Sequence, residues 1–386
     1  MATQELVVQL EPEHYDNLTD ANATGKTNFG KSSCQNNTGT VFAVGSDDNV
    51  VVYTSNSYAT KYATSISNPG NSNSLFGFKI AMDSPGDTII IGAPGDNRVY
   101  VFDAQNQART SWTQRSSGWS GNSYLGTSSS VNYGADVDVA GDDDSLFVVG
   151  RPGDHKIELW SWPNGSSATL LKTITKSSYF GFSCKLSADG QVVIAGGPGN
   201  YYPSYTYNAY DDGIAHVYAK DPSSATTWTE RTLPFDYNDV GPLVNSFDMG
   251  TTTVKRVTNI NASDGGTRTD IKPAFGFSVA INKDGTFIAV SAPNRKCFFS
   301  AEWINGSSYY KWLTGKPITG DIDEFGSFLF MQYDGTRIIT GNTSVEDKMY
   351  YDKQYSRWDN VMGFSKSYCV LAVSYTHLTL PTILLV

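Results

Sequence analysis

The chain has 386 residues, a formal net charge of −10 and an isoelectric point near 4.9. This acidic balance, without any run of Lys and Arg, argues against a nucleic-acid partner, because a phosphate backbone is met by clustered basic side chains. No apolar stretch approaches the roughly 20 residues that a membrane-spanning helix needs. The sequence therefore predicts neither nucleic-acid binding nor a membrane span.

Residues 1–27 form an N-terminal arm that precedes the repeated part of the chain. The arm has no basic n-region and no long apolar core, so no secretory signal is visible. Residues 5–10 are apolar enough for one strand, and the arm is a candidate to close a ring of repeats. The compartment stays unknown from these residues.

An apolar pattern with paired turns repeats from residue 28 onward. Its clearest copy is LFGFKIAMDSPGDTIIIGAPGDNRVYVF at residues 75–102. The copy predicts a strand after Phe76-Gly77, a turn at Pro85-Gly86, a second strand, a bend at Gly92 to Pro94, and a third strand. The glycines that open the copies are Gly30, Gly77, Gly134, Gly181, Gly276 and Gly326. Their separations are 47, 57, 47, 95 and 50 residues, which gives a period near 50 with one long gap.

A fourth strand follows the copies and often carries tryptophan. These tryptophans are Trp112, Trp228, Trp312 and Trp358. Several turns between the first two strands are Asp-Gly, where glycine supplies the positive φ of a tight hairpin. Four antiparallel strands in each repeat predict an all-β fold, a β-propeller with seven blades intended and about six complete here.

The repeats resemble the FG-GAP family of integrin-α-like β-propellers, through motifs such as Phe76-Gly77 and Gly92-Ala93-Pro94. The resemblance covers roughly residues 28–352. It implies a propeller and an extracellular or particle-surface setting, but family members have many functions, so it implies no single activity.

The calcium loop of the integrin-like copies has no full counterpart here. The first turns read SADGQ, NKDGT and QYDGT, and one Asp with one Gly supplies too few of the six to eight oxygens that calcium takes. Asp138 with Asp142, Asp143 and Asp144 comes closest, without the required spacing. We expect a solvated acidic turn, no metal and no cofactor, with calcium as the alternative that the loop spacing does not support.

Two insertions interrupt the repeats, at residues 199–212 and 234–272. The first lies between the second and third strands of a blade, and the second connects that blade to the next. In a four-stranded up-and-down blade these connections emerge at the same end. The sequence thus predicts one face with both insertions and a plainer opposite face.

The first insertion has the densest aromatic cluster of the chain. Tyrosine gives a rigid amphipathic contact surface with little entropy to lose, and nearby carboxylates suit sugars or protein partners. The alternative is that the rings only pack the insertion onto its blade. The candidate ligand-binding residues are Tyr201, Tyr202, Tyr205, Tyr207, Tyr210, Asp211 and Asp212.

Signals of catalysis are few. His155 is the one histidine in a predicted loop of the insertion face, and no sequence pattern gives it a catalytic partner. Carboxylates around the axis remain an alternative, because a glycosidase pair drawn from different blades leaves no local spacing. We therefore predict no catalytic residues and a non-enzymatic recognition or adhesion module for a glycan or protein. The alternatives are a glycoside hydrolase and a purely structural particle component.

Three further features carry less weight. The four cysteines are predicted to be reduced, small buried side chains. Glycosylation sequons begin at Asn17, Asn22, Asn36, Asn164, Asn261, Asn305 and Asn342, and chance explains them in a chain rich in Asn, Ser and Thr.

Residues 28–373 are assigned to the propeller. Residues 374–386 resemble translated adapter or vector sequence, as at the end of a metagenomic fragment, and are excluded from functional argument.

Overall fold

The computed structural model describes residues 30, 32–46, 48–57, 60–115, 124–126, 131–199, 212–235, 246–248, 253–255, 260–261, 267–268, 273–307, 309–313, 317–319, 325–341, 348–352 and 357–361. Within these ranges the chain forms six sheets built on four antiparallel strands each, and no α-helix. We number these sheets as blades 1 to 6 in chain order. The predicted all-β class and the six complete blades are confirmed, whereas the arm, the tail and the predicted seventh blade lie outside the described residues.

Every blade pairs its four strands in chain order. Blade 1 has β1 Ser32–Gln35, β2 Val41–Ser46, β3 Asn49–Ser57 and β4 Thr60–Ser67. Blade 2 has β5 Lys79–Met82, β6 Thr88–Ala93, β7 Arg98–Ala104 and β8 Trp112–Gln114, with β9 Leu125–Gly126 also paired to β7. Blade 3 has β10 Val137–Ala140, β11 Asp143–Arg151, β12 Lys156–Ser161 and β13 Thr169–Thr175.

The second half of the chain repeats this arrangement. Blade 4 has β14 Ser183–Leu186, β15 Val192–Gly197, β16 Ile214–Lys220 and β17 Trp228–Arg231. After it come two short hairpins, β18 Ser246–Asp248 with β19 Thr253–Lys255, and β20 Ile260–Asn261 with β21 Thr267–Arg268. Blade 5 has β22 Val279–Ile281, β23 Phe287–Ala292, β24 Cys297–Trp303 and β25 Tyr310–Trp312, with β26 Ile318–Thr319 also paired to β24. Blade 6 has β27 Phe328–Met331, β28 Arg337–Gly341, β29 Lys348–Asp352 and β30 Arg357–Val361.

The long gap between repeats holds insertions rather than an extra blade in the described residues. Strand β15 continues into β16 within one sheet, although the first insertion separates them. The second insertion contains the two short hairpins instead of a four-stranded sheet. The sequence had predicted a loop-like connection there and did not anticipate the hairpins.

The first strands lie innermost, since β5 contacts β1 and β10, and β14 contacts β10 and β22. Apolar side chains of the second and third strands fill the space between blades. Val52 and Ile91, for example, are fully buried in one cluster that joins blades 1 and 2. The described sheets therefore form a β-propeller whose core is divided into layers between adjacent blades.

Glycines allow the blades to approach closely. At the end of the second strand, a Cβ on Gly45, Gly92, Gly150 or Gly196 would lie 2.0 to 2.3 Å from a carbonyl oxygen of the next blade. Those oxygens belong to Gly77, Gly134, Gly181 and Gly276, the opening glycines of the following copies. The repeated glycines of the sequence thus meet in pairs across each of these interfaces, where a side chain would clash with backbone.

The two ends of the propeller differ. We call the end with the second-to-third-strand loops and the blade-to-blade connections the insertion face. The opposite end, with the first-to-second and third-to-fourth turns, is the turn face. By this topology the described ends of both insertions lie at the insertion face.

Candidate ligand-binding face

The predicted tyrosine cluster falls outside the described residues, as does Asp211. Of the seven candidate residues, the structure describes Asp212 alone, at the foot of the first insertion. The assignment of Tyr201, Tyr202, Tyr205, Tyr207, Tyr210 and Asp211 to a ligand site therefore stays a prediction. What the structure adds is how the propeller holds the two ends of this insertion.

The far end of the first insertion is bound to blade 5. The backbone N–H of Phe275 donates to the carbonyl oxygen of Asp212 at 3.0 Å, and Gly213 forms a parallel bridge with Phe275. Gly213 has φ +95°, and a Cβ there would be 2.1 Å from the Phe275 oxygen. Since the second insertion ends just before Phe275, one hydrogen bond joins the ends of both insertions.

The near end of the first insertion is bound to its own blade. The N–H of Gly199 donates to the carbonyl oxygen of Ser178 at 3.0 Å. A Cβ on Gly197 would be 2.4 Å from the same oxygen. Both ends of the insertion are thus hydrogen-bonded to the backbone of the propeller.

A polar cluster lies beside these ends, between blades 3 and 4. Glu230 accepts hydrogen bonds from Lys176 at 2.8 Å and from Tyr218 at 3.3 Å, and its other oxygen is 2.5 Å from Nδ1 of His216. Burial lowers the pKa of His216 against the opposing effect of Glu230. Burial works to raise the pKa of Glu230, but the bonds from Lys176 and His216 bring it below its ordinary value.

His155 has a structural role on the insertion face. Its Nδ1 accepts the backbone N–H of Tyr179 in the next blade at 2.8 Å, and the two rings pack edge to face at 5.3 Å. Asn97 acts similarly one blade earlier, where its Oδ1 accepts the N–H groups of Val131 and Tyr133. His155 is therefore a contact between blades 3 and 4, which the sequence did not predict.

Hydrogen bonds between neighbouring turns surround the axis on the turn face. Asn37 N–H donates to Ser84, Ser84 to Gly141, Asp142 to Ala188, Asp189 to Lys283, and Lys283 to Tyr333, with N···O distances of 2.7 to 3.1 Å. The hydroxyl of Tyr333, in blade 6, also donates to Asp142 of blade 3 at 3.3 Å. The turn face is thus connected from blade 1 to blade 6.

The acidic residues around Asp142 separate into different environments. Asp143 and Asp144 are exposed, as predicted, but Asp138 lies on inner strand β10. Its Oδ2 accepts the N–H of Leu186 at 2.8 Å, and its Oδ1 is 3.6 Å from Lys185. Burial raises the pKa of Asp138. The expectation of one solvated acidic turn is therefore wrong for Asp138, which caps the free edge of the neighbouring inner strand.

The Asp-Gly turns direct their carboxylates at their own backbone. Asp189, Asp284 and Asp334 each accept the N–H two residues further on, at 2.9 to 3.1 Å. Among the described residues no group of three His, Cys, Asp or Glu side chains is placed to hold a metal ion.

Two of the three described cysteines match the prediction of buried side chains. Cys184 and Cys297 are free and buried, and burial raises the pKa of both thiols, to about 12 for Cys297. Cys34 is half-buried, unlike the prediction, and Cys369 is outside the described residues.

Sequence reasoning missed Arg115, whose side chain is fully buried at the turn-face end of blades 2 and 3. It forms a two-point ion pair with Asp103 and donates to the carbonyl oxygens of Asp144 and Trp162. A single arginine after a strand gives no sequence signal of this contact, because its partners in blade 3 are 29 and 47 residues away.

No helix among the described residues has both the length and the apolarity to cross a membrane. No family model matches the sequence, and neither does any curated protein. Solved structures do match, although their sequences are only 9 to 14% identical.

Three of these structures match most of this chain and most of their own length. A protein from Lactobacillus plantarum matches with 12% identity and a TM-score of 0.53, over 85% of this chain and 82% of that chain. The β-propeller domain of Cps50 (Swd1) from Myceliophteria thermophila has 9% identity and a TM-score of 0.51, over 87% and 86%. Sqt1 from Chaetomium thermophilum has 14% identity and a TM-score of 0.50, over 86% and 72%. At such identities these similarities establish the fold class, a β-propeller, and nothing about ligands.

Proposed function

We propose that this propeller is a non-enzymatic recognition or adhesion module of the FG-GAP type, which binds a glycan or protein through its insertion face. The observation that carries the proposal is the hydrogen bond from Phe275 to Asp212, which brings the ends of the two insertions together. A tyrosine-rich segment held at both feet by a rigid scaffold has the properties of a binding loop. An extracellular or particle-surface setting accords with such a role.

The structure of the turn face also favours a binding site on the opposite end, the insertion face. Its hairpins are short, and backbone bonds connect them around the axis. The two long connections therefore offer the larger and more varied surface, and residues from adjacent blades 4 and 5 would contribute to one site.

The test replaces residues 200–211 by a short Gly-Ser turn and keeps Asp212, whose carbonyl oxygen binds Phe275. We expect binding on a glycan array or a panel of purified surface proteins to be lost, while the melting temperature stays unchanged. The matched control alters the turn face instead, by Asn164→Asp, and should bind normally. Binding that survives the loop replacement would overturn the proposal.

A glycoside hydrolase is the second candidate, and Asp138 is the observation in its favour. Burial shifts the pKa of this inner-strand carboxyl group upward, which is the direction that a general acid needs. However, both of its oxygens are already engaged, by Leu186 and Lys185. Turnover of glycoside substrates that survives the loop replacement and is abolished by Asp138→Asn would favour this candidate. A folded chain with neither binding nor turnover would favour a structural component.

A further inference from the structure

Two identical turns stand out among the residues that the proposed function does not use. The chain contains two Asn-Gly dipeptides, and both occur in the pattern Trp-x-Asn-Gly-Ser-Ser, at residues 162–167 and 303–308. They occupy equivalent turns between the third and fourth strands of blades 3 and 5, on the turn face. Gly165 and Gly306 have φ values of +74° and +82°, which explains the glycine.

Both asparagines are open to attack by their own backbone. Asn164 and Asn305 are exposed, and a Cβ on Gly165 or Gly306 would meet no atom within 4 Å. Within the described residues neither glycine N–H donates a hydrogen bond. A free glycine nitrogen next to an exposed asparagine amide is the arrangement from which succinimide formation starts, and glycine offers the least steric hindrance to ring closure.

From this geometry we propose that Asn164 and Asn305 are sites of spontaneous deamidation in the folded protein. The glycine nitrogen forms a bond to Cγ of the asparagine, the Cγ–Nδ2 bond breaks, and ammonia leaves with the glycine amide proton. Water then opens the succinimide ring to aspartate or isoaspartate. No oxidant, reductant or enzyme is required. Each event adds one negative charge to the turn face and leaves the insertion face unaltered.

The two sites differ in how firmly their turns are held. In blade 5 the hydroxyl of Ser307 donates to Ile304 at 2.6 Å and lies 2.9 Å from the oxygen of Tyr309. The N–H of Tyr309 donates back to this hydroxyl at 3.3 Å. In blade 3 the hydroxyl of Ser166 makes no hydrogen bond within the described residues, and one side-chain bond holds the turn, from the indole Nε1 of Trp162 to the carbonyl oxygen of Ser166 at 3.1 Å. Because ring closure distorts the turn and the Ser307 hydroxyl adds three bonds in blade 5 against the single Trp162 bond in blade 3, we expect Asn164 to react faster than Asn305.

Three other asparagines supply internal controls in the same chain. Asn36 is buried and its side chain bonds to Val41 and Pro85. Asn97 accepts two backbone N–H groups of blade 3. Asn71, followed by serine, is exposed, but its amide contacts Asp96. All three should remain intact while the Asn-Gly sites react.

The experiment incubates the full chain at mildly alkaline pH and maps its peptides by mass spectrometry, with isoaspartate measured by enzymatic methylation. We expect conversion of Asn164 about tenfold faster than of Asn305, which corresponds to about 1.4 kcal/mol of barrier. Ser307→Ala should bring the rate at Asn305 to within about twofold of that at Asn164. In denatured chain the two sites should react at the same rate.

Two results would overturn the proposal. One is deamidation of Asn36, Asn71 or Asn97 as fast as that of the Asn-Gly sites in folded protein. The other is equal rates at Asn164 and Asn305 that Ser307→Ala does not change. Because binding is measured separately on the insertion face, neither result bears on the proposed function.

Discussion

Gly92 in blade 2 lies against the carbonyl oxygen of Gly134 in blade 3, so closely that a Cβ on Gly92 would be 2.2 Å from that oxygen. The obstacle is backbone, which cannot rotate away as a side chain does. We expect Gly92→Ala to lower the free energy of unfolding by about 3 kcal/mol, measured by denaturant titration.

Gly306→Ala is the control for this prediction. Its Cβ meets no atom within 4 Å, but its φ of +82° makes alanine strained by about 1 kcal/mol. Equal losses in the two variants would show that close blade approach is not the reason for Gly92.

The buried arginine gives a second prediction. Arg115→Met leaves Asp103 without its partner in a buried position, and loss of one member of such a pair costs about 3 to 5 kcal/mol. Arg109→Met is the control, since the Arg109–Asp87 pair is partly exposed and should contribute no more than about 1 kcal/mol. Thermal and denaturant unfolding measure both.

The same arginine can be tested by partial rescue. Asp103→Asn in the Arg115→Met background removes the uncompensated charge and should restore part of the lost stability. The double variant could instead lose as much free energy of unfolding as the two single variants together. That result would show that Arg115 does not stabilise the fold through its ion pair with Asp103.

A buried carboxyl group predicts a pH dependence. Asp83 is 2% exposed, and burial raises its pKa to about 6 even though Gly86, Asp87 and Thr88 donate backbone N–H groups to it. Because the pKa is higher in the folded than in the unfolded chain, the folded state binds more protons between about pH 4 and 6. This group therefore stabilises the fold as pH falls through that range, by at most about 3 kcal/mol.

Asp83→Asn should remove this dependence. Asparagine keeps an acceptor oxygen, and Asn36 and Asn282 already cap the equivalent turns of blades 1 and 5. We expect the variant to be at least as stable as the parent at pH 7, with a flatter stability profile between pH 4 and 6. An unchanged pH profile would contradict a raised pKa at Asp83.

The backbone hydrogen bonds between turns of neighbouring blades predict slow hydrogen exchange of the amides that donate them. The amides of Ser84, Asp142, Asp189 and Lys283 each donate to a neighbouring blade, so they should exchange about as slowly as amides of the central strands. The amides of Gly165 and Gly306, at turns of the same face, should exchange quickly. Fast exchange at all six positions, measured by mass spectrometry or NMR, would show that these inter-blade bonds open independently of the fold.

The sequence was sufficient for the local structure. Apolar runs, Asp-Gly turns and the period near 50 residues predicted four strands in each blade, and strands β15 and β16 confirmed that one blade continues across the first insertion. These features follow from hydrogen bonding and side-chain alternation over a few neighbouring residues, which a single sequence displays directly.

The tertiary structure alone decided which residues meet across blades. Gly92 meets Gly134, Asp138 caps Leu186, and Phe275 binds Asp212, over separations of 42 to 63 residues. Such partners depend on how twisted sheets pack around an axis, and no periodic pattern encodes them. The sequence thus determined a propeller with two insertions at one end, and blade packing determined the contacts that support them.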